Sequence, residues 1–516
     1  MGLSRDVGTA LGRRRFLMLG GGVAATAALA ACSPAGSGGA GAARKVGPDS
    51  PAVAAAECAR DVSGAPTVSV ALDAAPTEID LGGKRVSTWA YGGVVPGKEI
   101  RVTRGEHLRV DLSNRLPQPT TVHWHGLAIR NNMDGVPNLT QAPVAAGGGF
   151  RYEFTVPESG TFWFHPHAGT QLDRGLYGPL IVQDPADGGD YDEELVVVLD
   201  DWLDGTGRTP VSVLADLKRN GMGAMGGMHH GGGSMPGMSG GMRMPRSKLL
   251  GGDAGDVTYP YYLANGRIAA DPQVINAKPG KRYRLRLINA GGDTAFRVGI
   301  PGASMTVTHT DGFPVVPKRA ESVLLGMAER IDAVVEVPDS SVPLLVVPEG
   351  KDGHAQVVFR VGRTPAPDPA ALVAPFLARP VLLSTDTVAT DHVHLAERKP
   401  DVTHALVLEG PGNKYQWTIN GKPYNPNRGV GVRQGQYARL RFENQTTMWH
   451  PMHLHGHTFQ VRGAGGTGPR KDTVIVLPGK TVEVDFEASN PGQWLTHCHN
   501  IYHGQSGMMT VLSYLE

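Results

Sequence analysis

The chain has 516 residues, with 49 Lys and Arg against 48 Asp and Glu. So even a balance lacks the basic footprint of a nucleic-acid binder, and no nucleic-acid partner is expected. The length exceeds one ordinary domain, and 70 Gly with 39 Pro point to a turn-rich, β-dominated protein of several domains.

The N-terminal segment reads as an address. Arg13, Arg14 and Arg15 precede an apolar, Ala/Gly-rich run to Ala31, too short to persist as a membrane helix. It has the form of a twin-arginine export signal over 1–31. The run closes Leu29-Ala30-Ala31-Cys32, in the form of a bacterial lipobox, so Cys32 is the candidate lipid-bearing residue of a cell-envelope lipoprotein. A secreted or periplasmic form cut at an Ala-x-Ala-like site is the alternative, and the membrane is expected as a partner only through that lipid. Residues 32–60 then read as a linker. The chain holds only Cys32, Cys58 and Cys498. If lipid takes the first and a metal the last, no disulfide is expected in the folded body.

A repeat sets the architecture. Gly105 to Asn114, Gly280 to Asn289 and Gly435 to Asn444 share one spacing, and apolar residues alternate with polar ones inside each copy (Leu108, Val110, Leu112 in the first). That is the period of a half-buried strand opened by a glycine turn. Three copies at this separation suit three β-sandwich domains with insertions. Linker-like segments at Asp184–Gly189 and Thr364–Pro369 place the domains at 61–185, 190–363 and 375–516.

In chain order, the first domain carries His123-Trp124-His125 and His165-Pro166-His167. On a strand both rings of a His-x-His pair face one way and can share a metal. The middle domain has no such block and reads as a spacer. It holds instead a low-complexity insert over 222–246 with Met222, Met225, Met228, Met235, Met238, Met242 and Met244. Thioethers are soft ligands that select Cu(I), so the insert is a candidate cuprous-ion collector, with a plain linker as the alternative. His392-Val393-His394 repeats the spacing in a charged stretch without a partner block and reads as surface. His107, His309, His354 and His404 stand alone and receive no role.

The third domain carries the densest chemistry, His450-Pro451-Met452-His453-Leu454-His455 and then His497-Cys498-His499, His503 and Met508. On a strand His497 and His499 face one way and Cys498 the other, so one strand can serve two metal sites. Cys498 with His503, Met508 and His450 offers the thiolate, two imidazoles and long axial thioether of a blue-copper centre. His457, one step past the run, reads as a spectator.

These four blocks, in this order, resemble the multicopper oxidases. The resemblance implies three cupredoxin-like Greek-key β-sandwich domains and four copper ions. It places one type 1 copper on His450, Cys498, His503 and Met508, and one type 2 copper on His123 and His453. A type 3 pair then takes His125, His165, His167, His455, His497 and His499. It implies a copper-dependent oxidoreductase that couples one-electron oxidation of Cu(I), phenols or aromatic amines to reduction of dioxygen to water, in copper tolerance. Ferroxidase activity, and copper storage or delivery without turnover, are the alternatives. By the same resemblance, Cys498 is the electron entry and Asp134 a proton donor to the cluster. Asp472 is placed beside the type 1 histidine, where it would take a substrate proton or help bind Cu(I). Many bacterial members have a Glu directly after the position of His503, where this chain has Gly504.

Overall fold

Each copy of the repeat folds as a strand that pairs in parallel with the first strand of its sandwich. His107–Asn114 pairs with Thr67–Asp80, Arg282–Asn289 with Glu193–Trp202, and Tyr437–Asn444 with Val402–Glu409. On its other edge each pairs antiparallel, with Gly149–Thr155, Arg330–Glu336 and Thr481–Glu487 respectively. The two end residues of the repeat have separate physical reasons. Gly105, Gly280 and Gly435 have φ of 87°, 73° and 85°, a region open to glycine at no steric cost. The asparagines tie down the loop that follows. Oδ1 of Asn114, Asn289 and Asn444 accepts from the N–H two residues on, at 3.0, 2.9 and 2.9 Å. Their Nδ2 groups each donate to two or more carbonyls, among them Val144 at 2.9 Å, Leu325 at 3.0 Å and Val476 at 3.0 Å. A buried amide satisfied in this way specifies one loop geometry.

The computed structural model describes residues 43–187, 189–221, 245–463 and 467–516. The export signal, Cys32 and the seven methionines of the insert lie outside the described residues. Among the described residues of Arg44–Glu516 the strands form six sheets, two to each repeat copy. The architecture is cupredoxin-like and all-β.

The first and third repeat strands show the expected alternation of buried and open positions. The middle one is buried on both faces from Tyr283 to Asn289. Its polar positions are arginines, of which Arg286 donates to Thr161 Oγ1 of the first sandwich at 2.9 Å while Arg284 pairs with Asp332 of its own sandwich at 2.8 Å.

A helix over Pro210–Asn220 leaves the middle sandwich and packs on the Asn413–Tyr415 turn of the third. Thr209 caps it reciprocally with Ser212, proline occupies its first turn, and Gly221 at φ 64° ends it. Lys218 on this helix donates to Gln505 O at 3.2 Å. Cys58 is free and exposed.

Candidate metal centres

Strand register assembles the histidines. In the first sandwich the His123–His125 strand runs antiparallel to Gly160–His165, with His123 opposite His165. In the third, His450–Leu454 runs antiparallel to Gln493–Cys498, with His453 opposite His497 and Met452 opposite Cys498. The two strand pairs face each other, so that His123 stacks on His455 and His125 on His453, each pair with ring centroids 3.8 Å apart. His165, His167, His497 and His499 complete the cluster at ring contacts of 4.9 to 5.6 Å.

Each anchored ring has one nitrogen fixed and leaves the other for the interior of the cluster. Nδ1–H of His123, His165, His453 and His497 donates to the carbonyls of Asp134, Pro166, Asp472 and Cys498 at 2.9, 3.1, 2.8 and 2.9 Å. Nδ1–H of His455 donates to Asp134 Oδ2 at 2.9 Å. His125 is turned the other way, with Nε2–H on Asp472 Oδ1 at 3.0 Å. Nε2 of His123, His165, His167 and His453, Nδ1 of His125 and both nitrogens of His499 are buried without a partner, and Nε2 of His455 and His497 face each other at 3.1 Å.

Orphaned polar atoms in this number would be costly in a sealed core. They are what a site for cations requires, with outer partners fixing each ring's tautomer. Burial, with neighbouring histidines adding to it, holds His165, His167, His455 and His499 well below the ordinary imidazole pKa. The donors are therefore neutral and ready to ligate. His123, His453 and His455 form one convergent group, His123, His125 and His165 a second, and His167, His455 and His497 a third.

The other face of the Gln493–Cys498 strand carries a separate triad. Cys498 Sγ lies 3.6 Å from His450 Nδ1 and 3.7 Å from His503 Nδ1, and those nitrogens are 3.1 Å apart. Thr446 Oγ1 holds His450 Nε2 at 2.8 Å, and Asp256 Oδ2 accepts from His503 Nε2–H at 2.8 Å. Asn500 caps the short helix that carries His503, its Oδ1 accepting from Tyr502 and His503 N–H. Met508 is buried, its N–H on His503 O and its carbonyl on Cys498 N–H, both at 3.1 Å. The Trp417 ring covers His503 at 4.1 Å. Burial pulls the His503 pKa down, but the hydrogen bonds to Asp256 and Cys498 outweigh it and raise the pKa to about 10.

Asp472 is not beside this triad. Thr473 pairs with His453 while His450 pairs with Val476, so the strand register carries Asp472 to the histidine cluster. There it is fully buried, under His125 and against Arg330, whose NH1 and NH2 donate to it at 2.9 and 2.5 Å. The carboxylate on the triad is Asp256, which reaches His503 from the middle sandwich. Nothing in the sequence near Gly252-Asp253-Ala254-Gly255-Asp256 marks it, because the contact spans 247 positions. The middle sandwich is therefore more than a spacer. It sends Asp256 to one centre and Arg330 to the other, and its Asp311 and Glu329 hold Lys471 at 2.9 and 3.1 Å.

Asp134 lies where expected, buried between His123 and His455. His457 is buried too, donating from Nδ1 to His455 O at 3.1 Å and sharing a 2.7 Å bond with Tyr514 OH. His392 is exposed and His394 half-buried, and neither joins a convergent group among the described residues. A narrow cleft of about 20 Å³ reaches His165, His167, His497 and His499 past Gly504 and Gln505.

Three sequence models described as multicopper oxidase match residues 74–187, 193–347 and 397–515. The chain is 46% identical over 98% of its length to the multicopper oxidase MmcO of Mycobacterium tuberculosis, 98% of which is covered. It is 27% identical to a copper resistance protein A homolog of Pseudomonas syringae pv. tomato, over 84% of this chain and 90% of that one. The crystal structure of Fet3p, a multicopper oxidase that functions in iron import, superposes with a TM-score of 0.71 at 21% identity, over 87% of this chain and 90% of that one. That likeness shows the fold.

Proposed function

This chain belongs to the multicopper oxidases, copper-dependent oxidoreductases that use dioxygen, and from that premise we propose that it oxidises Cu(I) in copper tolerance, with phenols and aromatic amines as further donors. The observation that carries the reading is the pairing of a Cys498–His450–His503 triad with a cluster of buried imidazole nitrogens that have no protein partner. We assign one type 1 copper to the triad with Met508, one type 2 copper to His123 and His453, and a type 3 pair to His125, His165, His167, His455, His497 and His499. Bound there, copper supplies one-electron oxidation of the donor at the first site and four-electron reduction of dioxygen to water at the others.

The protein's own part is positional. Cys498 is bonded along the chain to His497 and His499, so one strand links the two centres covalently. Asp134 fixes His123 and His455 in the tautomer that frees Nε2, and Asp472, braced by Arg330, fixes His125 in the opposite one. Asp134 sits where a proton can be handed to the cluster through Oδ1 or Oδ2. Asp256 holds the Nε2 edge of His503 and takes the role that the sequence suggested for Asp472, accepting a donor's proton or helping to hold Cu(I). The cleft past Gly504 gives dioxygen and water a way to the type 3 histidines.

Cu(I) as donor is supported by the methionine-rich insert and by the copper resistance protein among the relatives. The last described helix before the insert packs on the turn whose Tyr415 donates to Asp256. Export by the twin-arginine route, with a lipid on Cys32, would put the enzyme where copper enters the cell. Oxygen uptake by one copper-loaded preparation given Cu(I), Fe(II) and a phenol in turn tests the reading. Fastest turnover with Fe(II) would make the protein a ferroxidase, and copper binding without oxygen consumption would make it a storage protein.

A further inference from the structure

One fully buried carboxylate of the middle sandwich reaches two separate supports of His503. Asp293 stands four residues past Asn289, in the stretch where the third sandwich carries His450 six residues past Asn444. The middle copy has no histidine there and has this acid instead. Its Oδ1 accepts from Asn500 Nδ2 at 2.6 Å and from Asp256 N–H at 3.1 Å, and its Oδ2 from Val257 N–H at 2.9 Å and Lys351 Nζ at 2.8 Å. A carboxylate offers about four acceptor positions, so its capacity is filled. Lys351, its side chain 1% exposed, also donates to Asp293 O at 3.0 Å and Thr294 Oγ1 at 2.9 Å. A buried ion pair satisfied in this way holds one geometry.

The groups tied to Asp293 are those that set His503. Asn500 caps the short helix Ile501–Gln505 that carries it, and Asp256 accepts from its Nε2–H. The turn before Asp293 adds a third tie, since Gly292 O accepts from Ile501 N–H at 3.0 Å. That turn is itself anchored, with the N–H groups of Gly292 and Asp293 on the two oxygens of Asp201 at 2.8 and 3.1 Å. Gly255 lets the Asp256 segment come this close. At its φ of 115° an added Cβ would lie 2.4 Å from Asp293 Oδ2. Asn500 directly follows His499, so the ties act on the covalent link between the two metal centres.

We propose that Asp293, held by Lys351, is a positioning residue for electron entry: it clamps the helix cap and the Asp256 segment together and so sets the placement and donor strength of His503. The clamp stands on its hydrogen bonds alone, whereas its effect on copper rests on the oxidase reading. An outer acceptor strengthens an imidazole as a ligand, so drawing Asp256 away from Nε2–H weakens His503. A weaker donor stabilises Cu(II) less, and the type 1 potential rises.

The test uses the full chain and three variants. Asn500→Asp keeps the cap oxygen but sets a second carboxylate against Asp293, Asp293→Asn removes the charge, and the double variant exchanges donor and acceptor. In copper-free protein, amide hydrogen exchange over 501–505 speeds up by at least about tenfold in each single variant, on the scale of one lost charge-assisted hydrogen bond, while the His123–His125 strand exchanges as before. In copper-loaded protein the type 1 potential rises in both single variants and moves back toward the native value in the double one, with total copper per chain unchanged. Asp332→Asn breaks a buried pair of the same sandwich whose partners are Arg284, Arg286 and Thr161, so it controls for lost stability and leaves the potential where it was. If Asp293→Asn fails to fold, Asn500→Asp decides, because it conserves both size and cap. Native exchange rates over 501–505, a potential that does not rise, no recovery in the double variant, or an equal rise in Asp332→Asn overturns the proposal. Faster local exchange in variants of a chain that takes up no blue copper supports the clamp and sinks the oxidase reading instead.

Discussion

Asp134 Oδ2 lies 2.9 Å from Nδ1 of His455, a hydrogen bond across 321 residues that joins the first sandwich to the third. The same carboxylate holds His123 Nδ1 through Oδ1 at 3.1 Å. One side chain thus fixes two rings that stack at 3.8 Å and present their Nε2 atoms to the same space. Replacing Asp134 by Ala removes the anchor of His455 and leaves His123 only its bond to the residue-134 carbonyl. Loss of such an outer partner costs about 10- to 100-fold in metal affinity or activity. The Asp134→Ala enzyme is expected to bind less than its full copper complement while keeping the blue absorption of the Cys498 site. Metal analysis beside the visible spectrum checks this, and full occupancy with normal turnover would remove Asp134 from the account.

Asp256→Ala leaves Nε2–H of His503 buried with no acceptor, a loss of about 1–3 kcal/mol of local hydrogen bonding. The triad itself stays, because Cys498 and His450 meet His503 through Nδ1. We expect the blue absorption to persist while kcat/KM for Cu(I) and for neutral phenols falls by about tenfold or more. Asp472→Asn is expected to behave differently, lowering copper content at the histidine cluster and leaving donor kinetics at the triad secondary. If the two variants gave the same pattern, the placement of Asp256 on the donor side would be wrong.

How much of this was legible in the chain depends on the distance over which each contact acts. The histidine blocks, Cys498 and the Gly-to-Asn repeat are local patterns whose strand periodicity already says which rings share a face. Asp134 lay beside such a block. Asp472 misled because resemblance to an acidic residue of relatives does not reveal that His453, not His450, is its neighbour across the sheet. Asp256 and Arg330 come from the middle sandwich, which has no His-x-His block, and reach their histidine and carboxylate across 247 and 142 positions. A lone Asp or Arg carries no periodic signal, so only the folded arrangement identifies them.

Acid stability has a readable sign at the interface of the first two sandwiches. Asp332 is fully buried, which alone would raise its pKa, but Arg284 and Arg286 outweigh burial and hold it down to about 2. An unfolded aspartate titrates near 3.9. A depressed folded pKa stabilises the protein in full above the unfolded value, and that contribution is lost as pH falls from about 4 through about 2. The two-unit gap corresponds to about 2–3 kcal/mol. Thermal midpoints should therefore be insensitive to this group above about pH 5 and fall steeply below about pH 4. Asp332→Asn leaves two buried guanidinium groups without their carboxylate and is expected to destabilise by about 3–5 kcal/mol at neutral pH. A melting series from acid to neutral pH on both proteins checks the slope and the offset together.

Cys498→Ser tests whether one strand really serves two separate centres. The thiol sits in the apolar core with Met452 opposite it, whereas His497 and His499 face the imidazole cluster. Serine is nearly the same size, so the strand and its pairing with Met509–Tyr514 should survive, and His497 Nδ1 keeps its bond to the residue-498 carbonyl. Its hydroxyl lacks the soft thiolate character that the triad offers to copper. The variant is expected to lose the blue absorption and all donor oxidation while still binding copper at the histidine cluster. Metal analysis, electron paramagnetic resonance and oxygen uptake on one sample separate these outcomes. Retained donor oxidation would move the electron entry away from Cys498, and loss of copper from both centres would mean that the strand does not isolate them.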